Sequence, residues 1–273
     1  MSSLQDFSGT LVLVGAGKMG GAMLEGWLAL GLDPHKIAIL EPKPAPEIGA
    51  LAARGVRINP AMAAITDASV IVIAIKPQDA ATVVPNLKPL LRPGTIVVSV
   101  MAGKTIGFLE GALGNCAIVR SIPNTPAAVG RGITVAVPNA KVSEAQRKLS
   151  DALLRSVGAV EWVEDEGLID AATAVSGSGP AYVFLLAESL ARAGTAAGLP
   201  ADLAARLARA TVSGSGELLH RSALDAATLR ANVTSPGGTT AAALGVLMAG
   251  DGLDPLMEKA VAAATKRSRE LAG

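Results

Sequence analysis

In the first half of the chain the apolar positions fall in short, unbroken runs. Residues 10–14, 37–40, 56–58, 70–75, 96–98, 117–119 and 133–137 each read as a strand. The run Val70-Ile71-Val72-Ile73-Ala74-Ile75 shows no polar alternation, which is the pattern of a strand covered on both faces of a parallel sheet. Stretches with helical spacing separate the early runs, at 22–30, 47–54, 60–66 and 78–91. Strand and helix therefore alternate, which predicts a doubly wound α/β sheet.

The pattern changes near Glu164-Asp165-Glu166, beyond which no strand is readable. Residues 166–197 are apolar almost all round and are interrupted only by Ser176-Gly177-Ser178-Gly179-Pro180. Residues 201–219 place Leu203, Leu207, Thr211, Gly214 and Leu218 on one helical face, after a helix start at Pro200-Ala201-Asp202. Two more helices are expected at 238–249 and 254–271. The chain thus divides into an α/β domain, 1–163, and an all-helical domain, 164–273. A helix that is apolar all round must be buried, and a short helical domain has few ways to bury one alone. The second domain is therefore expected to form a homodimer interface.

Composition narrows the chemistry. Lys and Arg number 24 against 23 Asp and Glu, which leaves no bulk electrostatic case for nucleic acid or an anionic membrane. One cysteine, Cys116, excludes an intrachain disulfide framework and a cysteine-cluster metal site. Two histidines, His35 and His220, leave little for a metal site or a triad, so no metal is expected. No run approaches the ~18 apolar residues a membrane helix needs, and the first residues lack the basic start of a signal peptide. A soluble, cytoplasmic protein with a small-molecule substrate is expected, with no nucleic-acid or membrane partner.

The first chemical motif is Gly15-Ala16-Gly17-Lys18-Met19-Gly20, between a strand and a helix. Its first glycine permits a tight turn and its second lets backbone approach a pyrophosphate. Its third permits close helix–strand contact, while the helix N-terminus faces the anion. Set in this strand–loop–helix–strand context it predicts a Rossmann-type site for NADPH or NADH. Glu41 ends the second strand, where an acidic residue accepts hydrogen bonds from a ribose hydroxyl of NAD. Lys43 offers a counter-reading, pairing with the 2′-phosphate of NADP, and a solvated Glu/Lys pair in the loop Pro42–Pro46 is a third. Ala74, Lys76 and Pro77 lie at the carboxyl end of a buried strand, where open α/β sheets bind ligands. There Pro77 starts the next helix, and Lys76 reads as a rim charge or loop brace rather than a base.

Further segments complete a pattern: Arg120-Ser121-Ile122-Pro123-Asn124-Thr125-Pro126, then Ser176-Gly177-Ser178-Gly179-Pro180-Ala181-Tyr182, then Val233-Thr234-Ser235-Pro236-Gly237-Gly238-Thr239-Thr240. With the glycine loop and the Lys76-Pro77 segment, and in this order over essentially the whole chain, they closely resemble the pyrroline-5-carboxylate reductase family. Composition and periodicity alone reach only a dinucleotide-binding protein with a helical domain. The resemblance implies hydride transfer from NAD(P)H to the imine carbon of L-1-pyrroline-5-carboxylate, giving L-proline in the last step of proline biosynthesis. It also implies dimers or higher oligomers.

On that footing Ser235, Gly237, Gly238, Thr239 and Thr240 form the substrate loop. Two glycines let backbone approach a ligand, and the residues that follow open a helix whose free N–H groups suit a carboxylate. The family places Thr240 against the substrate nitrogen, as the catalytic residue. Read without the family, Thr239 or Thr240 is a helix N-cap. Asn124 offers an amide beside the nicotinamide, and Ser99–Gly103 forms a wall. No motif supplies a proton donor. A protonated imine is already electrophilic, so orientation and electrostatics suffice, with the cofactor carrying the reaction. One departure stands out: where the family often carries an acidic residue followed by His-Pro, this chain reads Leu224-Asp225-Ala226. That leaves open whether Asp225 substitutes. A β-hydroxyacid dehydrogenase would carry a catalytic lysine on a second-domain helix, and residues 168–198 contain none. A nucleotide-sensing binding protein would not need the intact 235–240 loop.

Overall fold

The computed structural model describes residues 4–272. Among them, eight strands form one sheet: β1 (Thr10–Val14), β2 (Ile37–Leu40), β3 (Arg57–Ile58), β4 (Ala68–Ile73), β5 (Ile96–Ser99), β6 (Ala117–Ile122), β7 (Gly132–Pro138) and β8 (Gly158–Trp162). Their order is β3-β2-β1-β4-β5-β6-β7-β8. The strands from β3 across to β6 are parallel. The parallel run of this doubly wound sheet ends there: β7 runs antiparallel to β6, and β8 pairs parallel with β7. The link from β6 to β7 is only a short 3₁₀ turn, Thr125–Val129. That is too short for the dozen-residue crossover a parallel pairing requires.

The unbroken apolar runs have a direct explanation in the core. Leu11, Leu13, Val70, Val72, Ile96 and Val98 bury on one face of the sheet. Their neighbours Val12, Val14, Ile71, Ile73 and Val97 bury on the other. Successive side chains of a strand point to opposite faces, so both faces must be covered. Helix α1 (Lys18–Ala29) contributes Met23, Leu24 and Trp27. The buried indole N–H of Trp27 donates to the Leu153 carbonyl at 2.9 Å.

Helices between the strands are shorter than the spacing predicts. Residues 47–54 form α2 (Pro46–Ala50) and a 3₁₀ turn, and 60–66 keeps only the 3₁₀ turn Met62–Ala64. Within 78–91 only α3 (Ala80–Val83) is α-helical, and the rest is 3₁₀. Pro85 and Pro89 remove two backbone donors from that segment. Two helices absent from the sequence reading also pack on the sheet: α4 (Ile106–Leu113) and α5 (Glu144–Leu154). The latter opens with a capping box between Ser143 and Gln146.

Residues after β8 are helical, as expected. They form α6 (Leu168–Ala172), a π-helical turn Thr173–Gly177, α7 (Gly179–Ala196), α8 (Ala201–Arg221), α9 (Ala226–Asn232), α10 (Thr239–Leu247) and α11 (Leu253–Ala272). The change of character at 163 coincides with the end of β8, but the compact units divide later. One contains the chain to Gly177 together with the segment from Thr265, and the other is Ser178–Ala264. Helix α6 stays with the sheet because Ile169 buries in its core. At the other end, the Ser268 hydroxyl donates to Asp170 Oδ1 at 2.6 Å.

In the second unit α7 and α8 pack closely. A Cβ on Gly194 would lie 3.3 Å from the Ala204 Cβ. Ala204 and Ala208 are the buried positions of α8, whereas the predicted face carries Leu207 and Leu218 exposed. Small residues let two backbones approach, so they occupy the seam and the leucines point elsewhere. Val183, Phe184, Leu186 and Leu190 of α7 are also exposed. Among the described residues no helix is long and apolar enough to cross a membrane.

Candidate active site

The glycine loop follows β1 directly. Gly15 has φ +89°, and a Cβ there would meet the Ala74 carbonyl oxygen at 2.8 Å. That close approach ties the loop to the end of β4, where the Ala74 N–H donates to the Val14 carbonyl. A Cβ on Gly20 would sit 2.2 Å from the Gly15 carbonyl oxygen, so the first turn of α1 lies directly on the loop. Gly17 differs: it is exposed, and a Cβ would meet nothing within 4 Å. Gly17 is also the N-cap of α1, with no side chain capping the helix. Two glycines therefore shape the loop and one keeps its outer face open. The free N–H groups of a helix start lie beside that face, an arrangement that fits a dinucleotide pyrophosphate. Lys18 is exposed and Met19 is half-buried.

Glu41 sits just beyond β2. Its Oε2 accepts from the Ala16 N–H at 3.0 Å, and its Oε1 accepts from the Lys43 N–H at 3.0 Å. The carboxylate therefore lies against the glycine loop, while the Lys43 residue is exposed. Lys76 is also exposed, at the head of the 3₁₀ turn that Pro77 opens.

Asn124, at the end of β6, is 8% exposed. Its Oδ1 accepts from the Ile133 N–H at 2.9 Å and its Nδ2 donates to the Ser176 carbonyl at 3.0 Å. The amide thus joins β7 to the π-helical turn. That turn is held by two further bonds, Thr173 Oγ1 to the Ile169 carbonyl and Ser176 Oγ to the Ala172 carbonyl. Ser99, of the expected wall, is fully buried, and its carbonyl accepts from the Ser121 hydroxyl. Arg120 lies inside at 2% exposure, and its Nη1 is 2.6 Å from Glu166 Oε1. The same Glu166 oxygen accepts from the Ile106 N–H at the start of α4. The acidic cluster that marks the change of pattern in the sequence thus holds the partner of a buried arginine. Those residues lie 46 positions apart, and no local signal links them.

The 235–240 loop belongs to the second unit. Gly237 has φ +70° and Gly238 is the N-cap of α10, with no side-chain cap. Thr239 and Thr240 are the first two residues of that helix, so neither is its N-cap. A Cβ on Gly238 would sit 2.5 Å from Ser235 Oγ. Glycine therefore leaves room for the serine hydroxyl over an uncapped helix start, a suitable seat for a carboxylate. Asp225, by contrast, caps α9: its Oδ1 accepts from the Thr228 N–H at 2.7 Å. That bond holds its carboxyl below the usual range. Among the described residues no cluster of His, Cys, Asp and Glu could hold a metal ion.

A family model described as pyrroline-5-carboxylate reductase dimerisation matches residues 166–271, and one described as NADP oxidoreductase, coenzyme F420-dependent, matches 10–103. The pyrroline-5-carboxylate reductase of Pseudomonas aeruginosa is 40% identical over 266 residues, spanning 96% of both chains. This chain belongs to the pyrroline-5-carboxylate reductase family. The pyrroline-5-carboxylate reductase of Glycine max is 39% identical over 96% of each chain. Among solved structures, that of a pyrroline-5-carboxylate reductase from Coxiella burnetii superposes with a TM-score of 0.89 at 34% identity, covering 97% of this chain and 99% of that one. The Plasmodium falciparum pyrroline carboxylate reductase with NADP bound gives 0.80 at 31% identity, covering 97% and 98%.

Proposed function

We propose that this chain reduces L-1-pyrroline-5-carboxylate to L-proline with NAD(P)H, and that its second unit mediates self-association as a dimer. The observation that carries the reading is the Ser235–Thr240 loop: an open glycine turn leading into the uncapped start of α10, in a chain related over nearly its whole length to reductases of this substrate. The bound nicotinamide supplies the hydride that reduces the C=N carbon. The chain's own residues bind and orient. Gly15, Ala16, Gly17, Lys18, Met19 and Gly20 hold the dinucleotide, with Glu41, Lys43, Ala74, Lys76, Pro77 and Asn124 around it. Backbone N–H groups at the start of α10 and the Ser235 hydroxyl hold the substrate carboxylate. The Thr240 hydroxyl hydrogen-bonds the ring nitrogen and relays its proton through water. Since a protonated imine is already electrophilic, positioning provides most of what the protein must add.

The direct test mixes the protein with pyrroline-5-carboxylate and either NADH or NADPH and follows nicotinamide absorbance and proline. Substrate-dependent oxidation with stoichiometric proline is expected. Binding of both ligands without oxidation would leave a sensing protein instead.

A further inference from the structure

We propose that this chain selects NADH over NADPH through Glu41, and that Asn59 is the positioning residue that aims it. The proposal rests on the NAD(P)H reading above and deepens it.

Glu41 is fixed at both its backbone and its carboxylate. Asn59 Oδ1 accepts from the Glu41 N–H at 2.9 Å, and Asn59 Nδ2 donates to the Glu41 carbonyl at 2.8 Å. The Asn59 N–H itself donates to the Ile39 carbonyl at 2.8 Å. The parallel pairing of β2 with β3 ends at Ile39 and Ile58. Beyond it the Asn59 amide stands in for a backbone unit and carries the pairing on to Glu41. Asn59 is the one non-glycine residue with positive φ among those described, at +47°. Asparagine tolerates that conformation better than most residues, and the two bonds to Glu41 are what the unusual backbone achieves.

With its backbone held, Glu41 reaches the glycine loop and accepts from the Ala16 N–H. Two things follow for the adenosine ribose expected at this strand end. Each carboxylate oxygen keeps a lone pair beyond its one backbone bond, so the pair can accept from a vicinal diol. A 2′-phosphate would instead meet a fixed negative charge, and the Ala16 N–H is already taken by that carboxylate. The cations nearby in sequence are Lys18 and Lys43, and both are exposed. An exposed lysine on a flexible stem offsets less than a carboxylate held by two backbone donors opposes.

The test is titration of the whole protein with NADH and with NADPH, followed by nicotinamide fluorescence without substrate. The wild type should bind NADH more tightly by roughly tenfold or more, the loss expected when a hydrogen bond to a charged group is exchanged for repulsion. Glu41→Gln keeps the shape and removes the charge, so it should collapse the ratio by weakening NADH and strengthening NADPH. Asn59→Gly keeps the backbone conformation and removes the amide, and it should lower the ratio in the same direction. In the Glu41→Gln background the Asn59 change should add little, because its effect passes through Glu41. A merely structural role for Asn59 would weaken both dinucleotides alike and leave the ratio where it was. That result, a wild type favouring NADPH, or no binding of either would overturn the proposal. Loss of the reductase reading shows separately, as intact selectivity in binding with no turnover of pyrroline-5-carboxylate.

Discussion

Three glycines within six residues of the first loop fail differently when replaced. Gly20→Ala drives a Cβ to 2.2 Å from the Gly15 carbonyl oxygen. It should cost about 1–3 kcal/mol of stability through forced backbone shifts, visible as a lower denaturation midpoint. Gly17→Ala has room and an ordinary φ of −71°. The fold should hold while dinucleotide affinity drops by about tenfold, or 1.4 kcal/mol, because the added methyl stands where the phosphate approaches. Equal stability losses in both variants would contradict this division of roles. The substrate loop allows a similar contrast. Thr240→Ala should lower kcat by roughly tenfold to a hundredfold, the cost of a buried polar partner left unmade. Ser235→Ala should chiefly raise KM, since it meets the carboxylate in both ground and transition states. Small, equal effects would make the loop only a helix start. The ion pair between buried Arg120 and half-buried Glu166 gives a prediction about the fold itself. Glu166→Ala leaves the Arg120 guanidinium without its carboxylate at 2% exposure, and should destabilise the protein by about 1–3 kcal/mol in chemical denaturation.

Elements vary in how openly the sequence displays them. The strands buried on both faces were legible because β-branched apolar runs have few other uses, and the glycine loop was legible because each glycine has a mechanical reason. Helix α5 was missed even though Ser143-x-x-Gln146 is a capping box in plain view. Polar residues fill its first turns, Glu144, Gln146, Arg147 and Lys148, and its large apolar residues gather at the end. Ser143→Ala should cost about 1 kcal/mol, measurable by urea titration. β8 is five residues with mixed polarity at the sheet edge, and only its pairing with β7 makes it a strand. The links from Asn59 to Glu41, Asn124 to Ser176 and Arg120 to Glu166 join residues far apart in sequence, and no spacing rule could reveal them. Asp225 shows a role decided by a neighbour: it lies near the motif, yet its carboxylate is spent on the cap of α9. Its carboxyl is held low by that bond. The capping contribution is therefore fully present above the ordinary aspartate range and is lost as pH falls through the lowered value. Asp225→Asn should flatten that part of the acid unfolding curve.

At the scale of the whole chain, the second unit is short of interior. Its α7, α9 and α10 contain no fully buried residue, while Phe184 alone is 63% exposed. Apolar surface of that extent marks an interaction face, and a second copy of the chain is the partner proposed. Sedimentation at micromolar concentration should find no monomer, and Phe184→Asp should shift the population toward it. A fully active monomer would remove the basis for a dimer.

Helix α11 begins in the second unit, yet its last turns belong to the first, where Ser268 bonds Asp170 and Leu271 lies against Gly103. This has a consequence during synthesis. A ribosome makes residues 265–271 only after it has made all of Ser178–Ala264, so the sheet unit, although encoded first, waits for its final pieces. Until then the Asp170 carboxylate lacks its Ser268 partner and Gly103 lacks the Leu271 backbone beside it, so the sheet unit closes only when the chain is finished.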